Sequence, residues 1–151
     1  MSEGNTTNPL PSRRPSLVKP TLKTPFHIDF DWWQKSERDW HVYLRSLLCT
    51  EHQELFADVQ QGEMIDWVDP KTAEVKPVDG IQHTLMSHCA RRPEFVTEQT
   101  AMVEAVFRLL LTNDNIPMSS EELSAKLGRP AQIILRTLSG PRVYKGIRPL
   151  Q

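Results

Sequence analysis

The sequence predicts a mainly α-helical protein in which a helical N-terminal module with one small β-hairpin precedes a C-terminal unit of three helices. Three observations support this fold class. Apolar residues recur at spacings of three, four and seven over residues 33–48 and 98–112, as on one face of a helix. Apolar and polar residues alternate over residues 64–68 and 74–78, which is typical of paired strands. Residues 117–148 show the pattern of two short helices joined by a tight turn.

Proline content and hydrophobicity divide the chain into three regions. Residues 1–25 contain five of the 12 prolines and only isolated apolar residues, so we expect a disordered, weakly basic arm. We expect residues 26–92 to form the helical module with its hairpin. Residues 95–151 are expected to form a separate C-terminal domain.

The sequence lacks the features of export and membrane insertion. No apolar run approaches the roughly 20 residues that a spanning helix needs. The first residues do not include the apolar segment of a signal peptide. Two cysteines are too few for the disulfide framework of a small secreted protein. We therefore expect a cytoplasmic protein without a membrane partner.

The net charge of −1 conceals an uneven distribution of charge along the chain. Residues 26–80 contain 5 basic and 12 acidic side chains, whereas residues 101–151 contain 7 basic and 4 acidic ones. Such asymmetry indicates that the two regions face different partners. We expect the acidic region to contact a protein partner and the basic end to contact a polyanion; the alternative is a chance segregation of solvated charges.

The N-terminal module is predicted to begin with a short strand and an amphipathic helix. Phe26, Ile28 and Phe30 alternate with polar residues, which is typical of an extended segment. Asp31 suits the cap position before a helix. The aromatic face of that helix, which includes Trp33, is interpreted as core, and the alternative is a surface on which nucleic-acid bases stack.

Turn residues define the hairpin and the helix that follows it. The segment Asp69-Pro70-Lys71-Thr72 has proline at the second position of a turn, where its fixed φ is favourable. Pro77 confines the second strand to an edge, because it has no backbone N–H to donate. Ile81 and Leu85 mark one face of a further helix, which ends before Pro93.

Capping residues define the two short helices of the C-terminal unit. Ser119 and Glu122 have the spacing of a capping box. Gly128 suits the left-handed position that ends a helix, and Pro130 suits the first turn of the next one. Two helices joined by a turn that contains glycine form a helix-turn-helix pattern. The apolar positions of the two helices are Leu123, Leu127, Ile134 and Leu138.

The charge of this unit points to nucleic acid. No acidic residue follows Glu122, and basic residues on a helix-turn-helix are typical of nucleic-acid binding. Glutamine can pair with adenine edges and arginine with guanine edges. The tail over residues 142–148 alternates apolar with basic residues, as in a strand or wing placed along phosphates. The candidate DNA-binding residues are Lys126, Arg129, Gln132, Arg136, Arg142, Tyr144, Lys145 and Arg148.

These features resemble the winged-helix and helix-turn-helix superfamily of DNA-binding domains. The resemblance covers about residues 98–148 and rests on Ser-x-x-Glu-Leu-x-x-x-Leu-Gly-x-Pro followed by Ile-Ile-Leu-x-x-Leu. It implies that Gln132 and Arg136 lie on the recognition helix and that basic tail residues occupy the wing. One departure is that the sequence stops at Gln151, too early for a full two-stranded wing.

One pattern of residues is typical of a metal site. Cys49 and His52 are separated by two residues, and His88 is followed directly by Cys89. Cysteine and histidine are zinc ligands, so the two pairs predict a structural zinc site. Neighbouring residues on a helix point about 100° apart, so His88 and Cys89 can share an ion only at a helix end. The alternative is two core cysteines and two surface histidines, with no cofactor.

The sequence contains no motif that predicts catalysis. It has no Gly-rich phosphate loop, no Gly-x-Ser-x-Gly and no paired Cys-x-x-Cys. We therefore expect a non-enzymatic DNA-binding protein, either a transcriptional regulator or a nucleoid-associated factor. The alternative is an interaction or scaffold subunit of a larger assembly, in which the helix-turn-helix is a docking surface for another protein.

Overall fold

The computed structural model describes residues 19–36, 40–57 and 64–150. Most of the predicted N-terminal arm therefore lies outside the described residues. The described residues are about 49% helical and 16% strand, in two small sheets. The prediction of a mainly α fold is wrong, because this is a mixed α/β structure. The sequence patterns predicted short strands but did not show that Pro25–Ile28, Met118–Ser119 and Ile147–Pro149 pair into a second sheet, because these strands lie far apart in the sequence.

Short strands are interspersed among the helices of the described chain, and one sheet joins its two ends. The element order is β1 (Pro25–Ile28), α1 (Phe30–Ser36), α2 (Trp40–Ser46), α3 (Thr50–Leu55), β2 (Met64–Val68), β3 (Val75–Asp79), α4 (Gly80–Ser87), two 3-10 turns (Cys89–Arg91 and Pro93–Phe95), α5 (Met102–Thr112), β4 (Met118–Ser119), α6 (Ser120–Leu127), α7 (Ala131–Leu138) and β5 (Ile147–Pro149). None of these helices is long and apolar enough to cross a lipid bilayer.

The three-stranded sheet has β1 in its centre, with antiparallel β4 and β5 on either side. Phe26 of β1 pairs with Met118 of β4 and with Pro149 of β5. The side chain of Asn115 continues the pairing at the end of β1: its Nδ2 donates to the Ile28 carbonyl at 2.9 Å, and its Oδ1 accepts from the Ile28 N–H at 2.8 Å. The N-terminal strand is thus hydrogen-bonded to three later parts of the chain.

The position of β1 explains how so short a tail after α7 can belong to a sheet. β5 pairs with β1, from the start of the described chain, so β5 belongs to a sheet without a further strand after it as its partner. The tail forms an edge strand of three residues, Ile147–Pro149. The basic residues that we expected on a wing therefore lie in the turn before β5 and in β5 itself.

A single hydrophobic core joins the two regions that the sequence analysis separated. Trp33 of α1 stacks on Tyr43 of α2 with ring centroids 5.3 Å apart, and both rings contact Phe107 of α5. Phe26 and Phe107 are completely buried. Residues from β1, α2, α4, α5, α6, α7 and β5 all belong to this core. Described residues of both regions, 26–92 and 95–151, therefore contribute to this core.

The hairpin lies where the alternation of residues predicted it. β2 and β3 pair from Met64 with Asp79 to Val68 with Val75. Several large apolar side chains of the hairpin are exposed, Val75 by 60% and Val68 by 56%. An open cleft of about 660 Å³ separates the hairpin from α4, and the Trp67 ring contacts the His83 ring beside it.

The helix-turn-helix follows its predicted caps. Ser119 and Glu122 form both bonds of the capping box at the start of α6. Gly128 ends that helix with a φ of +69°, in the left-handed region that glycine enters without strain. Leu123 of α6 and Ile134 of α7 are fully buried against each other's helix and the core. With α5 these two helices form the expected group of three.

Candidate metal centre and nucleic-acid interface

The structure brings four ligand-type side chains together at one place. Cys49 directly precedes α3 and His52 lies in its first turn, whereas His88 and Cys89 lie where α4 ends. The Cys49 Sγ lies 3.1 Å from the His52 Nδ1, 3.4 Å from the Cys89 Sγ and 4.0 Å from the His88 Nδ1. The Cys89 Sγ lies 3.4 Å from the His52 Nδ1. All four ligand atoms lie within 4.8 Å of one another.

A break in the helix allows the adjacent residues His88 and Cys89 to face the same point. α4 ends at Ser87, and His88 has φ −129° and ψ −64° before a 3-10 turn begins at Cys89. Two neighbouring residues on a regular helix would point about 100° apart. The break therefore meets the condition that the sequence analysis set for this pair.

The cluster has the dimensions of a tetrahedral zinc site. Bonds of about 2.3 Å to sulfur and 2.0–2.1 Å to nitrogen place two sulfurs about 3.8 Å apart and a sulfur and a nitrogen about 3.5 Å apart. Four of the six distances between ligand atoms range from 3.1 to 4.0 Å, and no pair is more than 4.8 Å apart. The four residues therefore could hold a metal ion.

Hydrogen bonds from neighbouring elements fix the backbone that carries His88 and Cys89. The 3-10 turn at Cys89 is anchored to α5, because the Thr112 hydroxyl donates to the Ala90 carbonyl at 2.9 Å. At the other end of α4, the Asp79 carboxylate caps the helix through the Gln82 N–H and lies 2.5 Å from the Nε2 of buried His41. Both ends of α4 are thus fixed, which positions His88 and Cys89.

The two thiols differ in acidity. Burial raises the pKa of Cys49, but the His52 backbone amide, the Cys89 side chain and the nearby Arg92 guanidinium together hold that pKa below the usual value of a thiol. Burial is the main reason that the pKa of Cys89 lies above its usual value. A thiolate is the form of a cysteine that binds a metal or acts as a nucleophile.

The predicted DNA-binding residues fall into two groups. Lys126, Gln132, Arg136 and Arg142 have exposed side chains. Gln132 and Arg136 lie one turn apart on α7, whose residues Ile134 and Leu138 are buried in the core. Ile133, which is 42% exposed, shares the solvent side of α7 with them. The guanidinium of Arg142 lies over the ring of Tyr144, 5.1 Å from its centre.

The other group of predicted cations is engaged within the protein. Arg129 donates to the backbone carbonyls of Glu98 and Thr100, at 3.2 and 2.6 Å. The Lys145 Nζ lies 3.4 Å from a carboxylate oxygen of Glu104, and Arg148 lies 3.4 Å from Asp29. Arg129 thereby holds the turn after α6, whereas Arg148, with half of its side chain exposed, remains part of the surface.

A polar network that the sequence did not reveal joins α2, α5 and the C-terminal turn. The Tyr43 hydroxyl donates to the Glu104 carboxylate at 2.7 Å, and the Arg108 Nε donates to it at 2.8 Å. Burial raises the pKa of Glu104, but Arg108, Tyr43 and Lys145 together lower it below its usual value. Burial and the Glu104 carboxylate raise the pKa of Tyr43. Glu104 and Arg108 are four positions apart on α5, but Tyr43 and Lys145 are far from them in the sequence, so spacing did not indicate the whole network.

A cleft beside the end of α7 adds one residue to the basic surface. It has a volume of about 360 Å³, and Lys19, Arg142 and Arg148 line it together with the end of α7 and the turn that follows. Lys19 belongs to the region that was expected to form the N-terminal arm, so its position beside the predicted wing residues was not expected.

Comparison with known proteins identifies no relative. No protein-family model matches the chain, and no curated protein and no solved structure is significantly similar to it. The functions proposed below therefore depend on the side-chain geometry of the described residues and on the sequence patterns already given.

Proposed function

We propose that Cys49, His52, His88 and Cys89 together bind one structural zinc ion. The observation that carries this proposal is the position of two sulfur and two nitrogen ligand atoms, all within 4.8 Å of one another. Four protein ligands complete a tetrahedral shell and leave no position for a substrate, which distinguishes structural from catalytic zinc sites. A set of two thiolates and two imidazoles also favours zinc over magnesium or calcium, which prefer oxygen ligands.

The ion would act as a crosslink between two segments that otherwise have few connections. α3 contains no buried residue, so the core does little to hold it. Its ligands Cys49 and His52 would be tied through the metal to His88 and Cys89, which are anchored on α5. Because the unfolded chain does not hold the four ligands together, metal binding adds directly to the free energy of unfolding.

Metal analysis of purified protein tests the zinc site. We expect about one zinc per chain by mass spectrometry of the metal, and a lower melting temperature after zinc is removed by a chelator. His52→Asn should lose most of the zinc. His83→Asn is the matched control, because His83 lies outside the cluster and contacts Trp67 instead. Folded protein without bound metal, and with an unchanged melting temperature in the presence of added zinc, would contradict the proposal.

We propose, as the role of the C-terminal unit, that α6 and α7 bind duplex DNA without catalysis, as in a transcriptional regulator or a nucleoid-associated factor. Gln132 and Arg136 support this proposal: they are exposed and one turn apart on the second helix of a helix-turn-helix. Both side chains can form paired hydrogen bonds with base edges in the major groove. Arg142, Lys126 and Lys19 add cations for phosphate contacts.

One observation favours the alternative, in which the same unit docks on a protein. Ile133 exposes 42% of its surface beside Gln132 and Arg136 on α7. An isoleucine in this position fits an apolar pocket on a partner, although it can also contact a thymine methyl group. The two roles make different predictions for salt, since phosphate contacts weaken steeply as salt concentration rises.

Fluorescence anisotropy with a labelled duplex, at two salt concentrations, tests the DNA proposal. We expect wild-type protein to bind at low salt and to lose affinity at the higher concentration. Arg136→Gln should weaken binding and reduce the preference between duplexes of different sequence. Lys76→Gln, an equal change of charge on the hairpin, is the control and should have little effect. Absence of binding at low salt would reject this role and favour docking on a protein.

A further inference from the structure

The two cysteines of the cluster are close enough to react with each other. Their sulfur atoms lie 3.4 Å apart. A disulfide bond is about 2.05 Å long, so closing it requires the sulfurs to approach by about 1.3 Å. Rotation of the partly exposed Cys49 side chain supplies movement of this size more readily than any change at buried Cys89.

The surroundings make Cys49 the accessible member of the pair. Cys49 is partly exposed, whereas Cys89 exposes 2% of its surface. Both cysteines line a cavity of about 300 Å³, which is large enough to admit a small oxidant, and Cys49 is the more exposed of the two.

We propose that a peroxide oxidises Cys49 and Cys89 to a disulfide, and that this modification releases the metal from the cluster. The Cys49 thiolate attacks one peroxide oxygen, which breaks the O–O bond and leaves a sulfenic acid and one hydroxide. The Cys89 thiolate then attacks the Cys49 sulfur, forms the S–S bond and expels a second hydroxide. With hydrogen peroxide, two thiolates and two protons give one disulfide and two water molecules.

The zinc ion is not oxidised or reduced in this reaction. It loses both of its thiolate ligands and keeps only His52 and His88, which are too few for a structural site. The disulfide joins Cys49, before α3, to Cys89, after α4, and so replaces the metal as the crosslink between the same two segments. Release of the metal depends on the proposed zinc site, whereas formation of the disulfide does not.

Treatment of the reduced full-length protein with hydrogen peroxide tests the inference. We expect the intact mass, measured without reductant, to fall by about 2 Da, and peptide mapping to show Cys49 linked to Cys89 in the same chain. A chromogenic chelator should detect about one zinc released per chain with the same time course. A thiol reductant and added zinc should restore the starting mass and metal content.

Alkylation and two variants test the assigned order of attack. In metal-free wild-type protein, Cys49 should react with iodoacetamide roughly tenfold or more faster than Cys89, because a buried thiol reacts slowly. Peroxide should give Cys89→Ser a sulfenic acid at Cys49 that a dione probe captures, and should leave Cys49→Ser largely unlabelled. The alkylation rates come from wild-type protein, so they decide the order even where a variant fails to fold.

The outcomes separate this inference from the zinc proposal. Zinc-loaded protein that gains about 32 Da at one cysteine, as in a sulfinic acid, or forms dimers without an internal disulfide, would overturn the inference and leave the zinc site standing. If the protein never contains zinc but forms the internal disulfide, the proposed metal release is contradicted and the oxidation of Cys49 and Cys89 is supported. Protein with neither zinc nor disulfide would overturn both.

Discussion

The indole N–H of Trp33 donates a 2.7 Å hydrogen bond to the backbone carbonyl of Lys145. This bond joins α1 to the turn before β5, and a second bond from the Asp29 N–H to the Gly146 carbonyl, at 2.8 Å, joins the same segments. Lys145 and Gly146 both have positive φ, 52° and 74°. The turn therefore follows the edge of the indole closely and fixes where β5 begins.

Substitution of Gly146 by alanine should destabilise the protein. An added Cβ would lie 2.8 Å from the Cδ1 and Nε1 atoms of Trp33 and 3.0 Å from the Asp29 carbonyl, at a φ of +74°. We expect a loss of about 1–3 kcal/mol in the free energy of unfolding, measured by denaturant titration. Gly140→Ala is the control: its Cβ would meet nothing closer than 3.8 Å. Equal stability of the two variants would show that the turn leaves room for a Cβ at position 146 beside the indole.

Loss of the Asn115 side chain should loosen the central strand. Its carboxamide makes two hydrogen bonds to the backbone of Ile28, at 2.8 and 2.9 Å. Asn115→Ala leaves both backbone groups without their partner, which costs about 1–3 kcal/mol. Hydrogen exchange should show faster exchange of the Ile28 amide in this variant. The exposed neighbour Asn113 provides the control, and Asn113→Ala should leave that amide protected.

Acid should weaken the protein in part through Glu104. The contacts of its carboxylate with Arg108, Tyr43 and Lys145 lower its pKa in the folded state. A carboxyl group with a lowered pKa stabilises the fold above its unfolded pKa, near 4.3, and this contribution disappears as pH falls through the folded value. As pH falls from 6 to about 3, the melting temperature should therefore decrease less steeply for Glu104→Gln than for the wild type. Glu54→Gln, an exposed control, should follow the wild-type curve.

Two arginines of the C-terminal unit should behave differently. Arg142 is exposed, so Arg142→Gln should remove one phosphate contact and make the slope of log affinity against log salt shallower by about 0.9. Arg129 donates to the carbonyls of Glu98 and Thr100, so Arg129→Gln should lower the melting temperature and leave the salt slope almost unchanged. If Arg129→Gln instead made the salt slope shallower and Arg142→Gln lowered the melting temperature, Arg129 would have to leave its carbonyl partners to bind DNA.

The features that the sequence predicted correctly depend on residues that lie close together in the sequence. The capping box of Ser119 and Glu122 and the left-handed Gly128 each involve a few consecutive positions, so residue type and spacing were sufficient. The metal cluster was predicted partly in the same way, since Cys49 and His52 are three positions apart. That the second pair reaches them depends on the backbone break at His88, which no spacing rule indicates.

The features that the sequence did not predict depend on contacts between distant residues. Phe26 and Ile28 suggested an extended segment, but nothing in their surroundings indicated that β4 and β5 would flank it, so the fold class was wrong. Lys145 and Arg148 looked like free cations because Glu104 and Asp29, their partners, lie more than 40 positions away. Only the folded chain shows which charges are already neutralised.

The central place of β1 also determines the order in which the molecule can fold. β1 is separated from its two neighbours, Met118–Ser119 and Ile147–Pro149, by most of the described chain. Such long-range pairing carries a large loop-closure cost and slows folding. Until β4 and β5 have paired with it, β1 keeps unpaired edges that other strands could bind. The sheet beside the C-terminal helices is therefore complete only when a segment that is distant in the sequence has joined it.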